Sequence, residues 1–402
     1  MLYLSILLFL FILSYNYDYR KESNGRKAWY IITLIIFICV AGLRYRLGVD
    51  AIRYENEYIS MPSLSELKDF DFDSTRYAPG YIAFLSMARS ISDEWVTMQF
   101  LQAIYVNCII FWFFFRYSRN IFFCIIIYAL SLYFNFMCEV MREACAVATL
   151  LMAWPFFIQK KWLQYYTLAI ICVLFHTSGF VSLILPILYL PKIRNFFMIG
   201  KHTIFVLLGC FVLGSVVGYG LTNYLKIFYF INGLEKSIGY YEDLDISGQI
   251  LNLNGIISTI ILWCAYPCLA TSYIKGHTKT KHSHDISNHI NFMVGIGVIV
   301  AVLTIPVTIF YRYNNYFFPF SIIAIGNWVY TKHPMANLKF KFRYSNWLLI
   351  FAPFFFLCTY NYFLIKDDGH IYEMARYYPY SSIIEKSTNP ERERVQYFHH
   401  AY

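Results

Sequence analysis

Arginines and a histidine set among apolar residues are the part of this 402-residue sequence that could do chemistry. Arg142 stands between two apolar runs with Glu139 and Glu143 beside it. Arg312 separates two more, in the stretch Phe310 to Tyr316. Arg44 and Arg46 end an apolar run, and Gly48, Asp50, Arg53 and Tyr54 follow them. His176 interrupts a long apolar stretch, with Thr177 and Ser178 after it. An ionisable side chain in or beside hydrocarbon costs about 2.5–3.5 kcal/mol on insertion scales, so each of these needs a reason to be there. The bland reasons are an arginine reaching from a helix end to lipid headgroups and an ion pair of Arg142 with Glu139 or Glu143.

Several guanidiniums converging on one membrane face suit a phosphate-bearing amphiphile, because a guanidinium offers planar, paired donors to phosphoryl oxygens. A histidine or a carboxylate supplies a proton acceptor near neutral pH. Together they describe transfer of a group away from a lipid-linked diphosphate. Arg44, Arg142 and Arg312, with Tyr54 and Glu143, would bind the substrate, the arginines at its diphosphate. His176 or Asp50 would take the proton from an acceptor hydroxyl. Arginine can offset the charge growing on the leaving group, so no metal and no cofactor are expected. The sequence also lacks a phosphate-binding glycine loop, a serine nucleophile elbow and an HExxH motif. His282, His284 and Asp285 have no second ligand cluster and are expected in a solvated loop. The ten cysteines show no CxxC spacing and are expected to be packing residues.

The elements that must position these residues follow from composition. The chain is 58% hydrophobic and 14% charged, where soluble proteins carry about 25% charge. At about 20 apolar residues per crossing, that composition predicts an all-α polytopic membrane protein of about 12 transmembrane helices. Continuous apolar runs such as Ile31 to Gly42 argue against the alternating strands of a β-barrel. Crossings are expected at 1–17, 28–43, 96–117, 121–137, 143–158, 162–175, 177–190, 203–222, 254–274, 290–311, 313–330 and 345–365. Residues 1–17 read as a retained first helix, because basic residues follow the apolar run and none precede it. Tyr77 to Ile91 is short and holds Pro79, Gly80 and Arg89, so it is expected to be re-entrant or interfacial. This map gives one integral domain over 1–402, with outer loops at 44–76 and 223–253 and an outer tail at 366–402. The loops assigned inside hold 18 basic and 3 acidic residues, against 15 and 21 elsewhere. The net charge of +9 is therefore a topology signal and not a nucleic-acid signal. Both termini are expected outside.

The ordered set Gly42 to Tyr54, Ala78 to Tyr81, Met141 to Ala146, Phe175 to Ser178, Arg312 with Tyr316, and Pro379 with Tyr380 resembles the EpsG family of Wzy-type polysaccharide polymerases. Val49, Ala51, Ala78 and Glu143 depart from the residues usual in that pattern. The resemblance implies a GT-C-like glycosyltransferase of the bacterial inner membrane. Its implied reaction polymerises undecaprenyl-diphosphate-linked oligosaccharide units into O-antigen, capsule or exopolysaccharide at the periplasmic or outer face. Its implied partners are the lipid-linked oligosaccharides, the bilayer, and a chain-length regulator and flippase of the same pathway. It implies roles for Arg44, Gly48, Asp50, Tyr54, Arg142 and His176. The rival expectations are a lipid-linked oligosaccharide flippase and a ligase or acyltransferase of the same pathway.

Overall fold

The computed structural model describes residues 2–200, 202–216, 253–277, 281–306, 311–329, 365–366 and 371–398. Nearly all regular structure among them is helical, apart from a two-residue pairing of Ile365–Lys366 with Ile371–Tyr372. The helices gather into two compact units, residues 1–185 with 335–402, and residues 186–334.

The first unit begins with α1 (Leu2–Leu13), which widens into a π-helical segment, Ser14–Tyr19. There follow α2 (Arg26–Gly42), α3 (Ala51–Ile59), α4 (Pro79–Arg89), α5 (Trp95–Tyr117), α6 (Ile121–Ser131), α7 (Tyr133–Cys138), α8 (Met141–Ile158) and α9 (Trp162–Phe175). A 3-10 turn at Thr177–Phe180 leads into α10 (Val181–Leu188). Five consecutive residues of α8, Ala144 to Ala148, are fully buried. A helix buried on every side at its first turns must be surrounded, and these small residues let α5 and α9 approach its backbone closely. α1 is the opposite case. Leu4, Leu8 and Ile12, one turn apart, are each more than half exposed. Such a stripe suits lipid and not water.

In the second unit, α11 (Pro191–Phe197) and α12 (Thr203–Val216) precede α13 (Leu253–Ser258), which runs through a π-helical segment into α14 (Tyr266–His277). α15 (Lys281–Thr304) and α16 (Tyr311–Val329) then pack tightly, and a methyl group on Gly297 would sit 2.7 Å from the Phe317 Cβ.

Among the described residues, four stretches are long and apolar enough to cross a membrane: Leu2–Tyr19, Trp95–Tyr117, Met141–Ile158 and Ile286–Thr304. A fifth appears if the bent pair Thr177–Leu188 and Pro191–Phe197 forms one span. The expected crossings 121–137, 162–175, 203–222 and 254–274 meet shorter apolar helices, whereas 28–43 and 313–330 meet Arg26–Gly42 and Tyr311–Val329, which are in neither group. Of the expected crossing 345–365 and the expected loop 223–253, only the last residue of each lies within the described residues. The expected crossing 121–137 is two helices, because the chain breaks at Leu132. Residues 281–289, expected in a loop, open the long helix α15. The expected loop 44–76 holds a helix of its own, α3.

The Tyr77 to Ile91 segment forms α4. Ala78 is extended, and Pro79 sets the helical φ at the first position. Eleven residues rise about 16 Å, about half of a hydrocarbon core.

Candidate active site in the first unit

The loop from Leu43 to Asp50 is built around two residues with positive φ, Arg46 at 47° and Gly48 at 92°. Gly48 is required there twice over. Its φ disfavours any side chain, and a Cβ would lie 2.7 Å from the Cys138 Cβ and 3.0 Å from the Cys138 carbonyl oxygen. The carboxyl-terminal segment locks this loop from outside α2. The Tyr45 N–H donates to the Ser381 carbonyl at 2.8 Å, the Ile383 N–H to Leu43 at 2.8 Å, and the Gly48 N–H to Arg376 at 2.9 Å. From α17 (Pro390–Phe398), the Gln396 amide donates to the carbonyls of both Arg46 and Gly48, at 2.9 and 2.8 Å. Arg392 holds the segment itself together, through the carbonyls of Ala375 and Pro379. Tyr380 donates to the Val40 carbonyl at 3.1 Å, and Arg376 pairs with Glu139 at 3.5 Å.

Inside this loop, Arg44 is only 3% exposed. Its Nη1 donates to the Ala41 carbonyl, an orphan acceptor at the end of α2, and its Nη2 approaches the Met141 sulfur at 3.6 Å. Around it lie Cys138, Tyr133, Tyr81 and Tyr380, with no carboxylate paired to it among the described residues. Burial accordingly lowers its pKa from the ordinary arginine value. The Tyr81 hydroxyl nearby is buried with no hydrogen-bond partner among the described residues.

Arg142 opens α8 one residue after Met141. Its guanidinium lies over the Tyr77 ring at 4.9 Å, reaches the Arg76 carbonyl at 3.4 Å and borders the Tyr54 hydroxyl. Three rings form a near-parallel stack beneath it: Tyr54 lies 6.4 Å from Tyr77 and 6.2 Å from Trp95. Tyr54 is anchored by its hydroxyl, which donates to the Glu139 carbonyl at 2.8 Å. Two further arginines, Arg53 and Arg76, reach one carboxylate, Glu57, at 3.1 and 3.2 Å, and Tyr77 donates to the same carboxylate. Asp50 occupies the N-cap position of α3 yet caps nothing. Its half-buried carboxylate has no hydrogen bond or ion pair among the described residues.

His176 ends α9. Its Nδ1 accepts from the Ser178 backbone N–H at 3.2 Å and lies 2.5 Å from the Ser178 hydroxyl. A backbone N–H can only donate, so the neutral ring carries its hydrogen on Nε2. The half-buried edge of this ring is therefore a donor. A Cβ on Gly80 would lie 2.8–2.9 Å from Leu174, so the end of α9 that carries His176 is pressed against the start of α4. That same turn carries Tyr77 and Tyr81, whose rings meet at 5.3 Å.

A family model described as the EpsG family matches residues 27–382. The chain belongs to the EpsG family. This is a family of Wzy-type polysaccharide polymerases, and with the apolar helices it makes the chain a multi-pass membrane protein with a glycosyltransferase-like polymerase role. No curated protein and no solved structure matches the chain.

Of the residues that the sequence singles out in this EpsG-family chain, Arg44, Asp50, Tyr54, Arg142, Glu143 and His176 fall in the first unit. Glu143 is 2% exposed in the first turn of α8. Arg312 lies in the second unit, exposed, in the first turn of α16. Sequence reasoning missed Gln396, Arg392 and Tyr380 as holders of the Arg44 to Asp50 loop, and Tyr81 as the buried phenol between Arg44 and Arg142. Tyr81 and Tyr380 stand in motifs of the resemblance, whereas Gln396 and Arg392 carried no signal. Among the described residues, no group of three or more His, Cys, Asp or Glu side chains could hold a metal ion.

Proposed function

We propose that this EpsG-family protein polymerises undecaprenyl-diphosphate-linked oligosaccharide repeat units at the periplasmic or outer face of a bacterial inner membrane. The topology adopted for this reading is the twelve-crossing, GT-C-like arrangement, with both termini outside. The observation that carries it is Arg142, whose guanidinium lies over the Tyr77 ring and beside the Tyr54 hydroxyl with no carboxylate paired to it among the described residues, near an unpaired Asp50. Excess guanidinium charge suits a diphosphate, and an uncommitted carboxylate suits proton abstraction.

In the proposed step, an acceptor sugar hydroxyl on one lipid-linked unit attacks the anomeric carbon of the growing chain. The bond from that carbon to the diphosphate oxygen breaks, and its electron pair leaves on undecaprenyl diphosphate. The acceptor proton passes to Asp50. Arg142 stabilises the leaving diphosphate, Arg44 adds positive potential from behind it, and Arg312 is the further arginine assigned to that charge. The tautomer of His176 supports a donor role, in which Nε2–H orients a substrate oxygen. Arginine supplies the charge, so the proposed reaction needs no divalent metal.

Deleting the gene and resolving surface polysaccharide on a gel tests this reading. The expected result is loss of the ladder with single capped units retained, reversed by the wild-type gene and not by Arg142→Ala at equal membrane level. A full ladder from Arg142→Ala would overturn the assignment. Loss of the single units as well would favour a flippase.

A further inference from the structure

A second group of polar residues lies beside Arg142. An open cavity of about 480 Å³ is lined by Arg53, Glu57, Ser60, Phe70, Thr75 and Arg76, among others. That volume falls in the range of pockets that hold small molecules, about 300–1,000 Å³. Among the described residues of the lining, Glu57 is the sole carboxylate, against two guanidiniums.

How these guanidiniums are used decides what the cavity fits. Arg53 meets Glu57 through Nε alone, and Arg76 through Nε and Nη2. Both Nη groups of Arg53 and the Nη1 of Arg76 have no hydrogen-bond partner among the described residues. The Glu57 oxygens are committed: Oε1 to both arginines, and Oε2 to Arg76 and to the Tyr77 hydroxyl. Glu57 thus orients the two arginines through both Nε groups and the Nη2 of Arg76, and leaves the other Nη groups to a ligand. The Ser60 hydroxyl donates to the Glu57 carbonyl at 2.8 Å, which leaves its lone pairs to accept from a ligand hydroxyl. Phe70 supplies an apolar face of the kind that packs on a sugar ring. Arg76 also places its carbonyl on Arg142 at 3.4 Å, so cavity and proposed diphosphate site adjoin.

We infer that this cavity binds a carboxylate-bearing sugar of the repeat unit, a uronic acid or a pyruvylated sugar, with Arg53 and Arg76 as its specificity residues. The inference rests on the polymerase reading and narrows it. A neutral repeat unit would leave three guanidinium donor groups unmatched in the bound state, whereas a carboxylate takes them as paired, charge-assisted bonds.

Two measurements test it. In the deletion strain, mass spectrometry of the accumulated lipid-linked units is expected to show a sugar carboxylate, and to tell a uronic acid from a pyruvyl group. A neutral unit overturns the inference and leaves the polymerase reading standing. A persistent ladder with no accumulated unit sinks the polymerase reading, and the inference with it. In the second measurement, purified full-length protein receives the extracted acidic units or the same units after carbodiimide-borohydride reduction of their carboxyl groups. Wild type is expected to prefer the acidic units at least tenfold in kcat/KM, and the Arg53→Gln, Arg76→Gln double variant to lose that preference. Equal use of both substrates by wild type, or a preference that survives in the variant, overturns the inference.

Discussion

Replacing Gly48 by alanine is expected to loosen the loop that carries Asp50, and the structure sets the size of the effect. Two costs add. A non-glycine residue held at a positive φ in a sparsely populated region costs about 1–3 kcal/mol, and Gly48 stands at 92°. The new methyl group would also meet the Cys138 Cβ at 2.7 Å and the Cys138 carbonyl oxygen at 3.0 Å. The oxygen is backbone at the junction of α7 and α8 and cannot rotate away, so an overpacking cost of about 1–3 kcal/mol applies. The sum is about 2–6 kcal/mol, or a fall in the thermal unfolding midpoint of roughly 4–24 °C on the scaling for domains of 150–250 residues. The control is Gly209→Ala, where nothing lies within 4 Å of the new Cβ. In a helix interior that change is expected to be neutral or to stabilise by up to about 1 kcal/mol. Tryptophan fluorescence of the purified chain during heating reads both. Midpoints of the two variants within 2 °C of each other would refute the loop geometry, and with it the placement of Asp50.

Gln396→Leu removes the donor to the Arg46 and Gly48 carbonyls. At about 1–3 kcal/mol for each buried acceptor left without a donor, limited proteolysis is expected to cleave the tail faster than in wild type. Arg142→Lys keeps the charge but loses the planar guanidinium over Tyr77. Polymer yield is expected to fall about 100-fold or more, the scale of removing one transition-state donor, and near-normal yield would remove Arg142 from the proposed site. Because Nε2 of His176 is the donor edge, His176→Gln is expected to retain more polymerisation than His176→Asn, and the reverse order would contradict the tautomer. Burial pushes Tyr380 up to about 12, so the folded chain holds that proton more tightly than the unfolded chain does. The stabilisation is complete below pH 10 and is lost as pH rises from 10 through 12, which is expected to speed cleavage of the tail in wild type and not in Tyr380→Phe.

Where an uninterrupted apolar run is bounded by charge, the sequence places helices closely. The expected crossings 28–43, 96–117 and 143–158 correspond to Arg26–Gly42, Trp95–Tyr117 and Met141–Ile158. Tyr77 to Ile91 stands out in the sequence as a brief apolar run, and Pro79 suits the first position of α4, where its missing N–H costs nothing. The break at Leu132 was not legible, because it falls inside a run that stays apolar on both sides. The tail on the Arg44 to Asp50 loop was invisible for another reason. Gln396, Arg392 and Tyr380 all bond to backbone carbonyls, and a carbonyl has no residue identity for a pattern to match. Arg44 shows the limit of reading charge alone. Its guanidinium is spent largely on the end of its own helix, whereas Arg76, an ordinary loop arginine in the sequence, lines the cavity beside Arg142 together with Arg53.

Reconstitution of the purified chain with lipid-linked repeat units alone tests the central claim most directly. Polymerisation is expected to give a ladder of products that lengthens with time, releases undecaprenyl diphosphate one for one with each new glycosidic bond, persists in EDTA and vanishes with Arg142→Ala. Movement of units across the bilayer without new bonds, or a single transfer with no ladder, would contradict it.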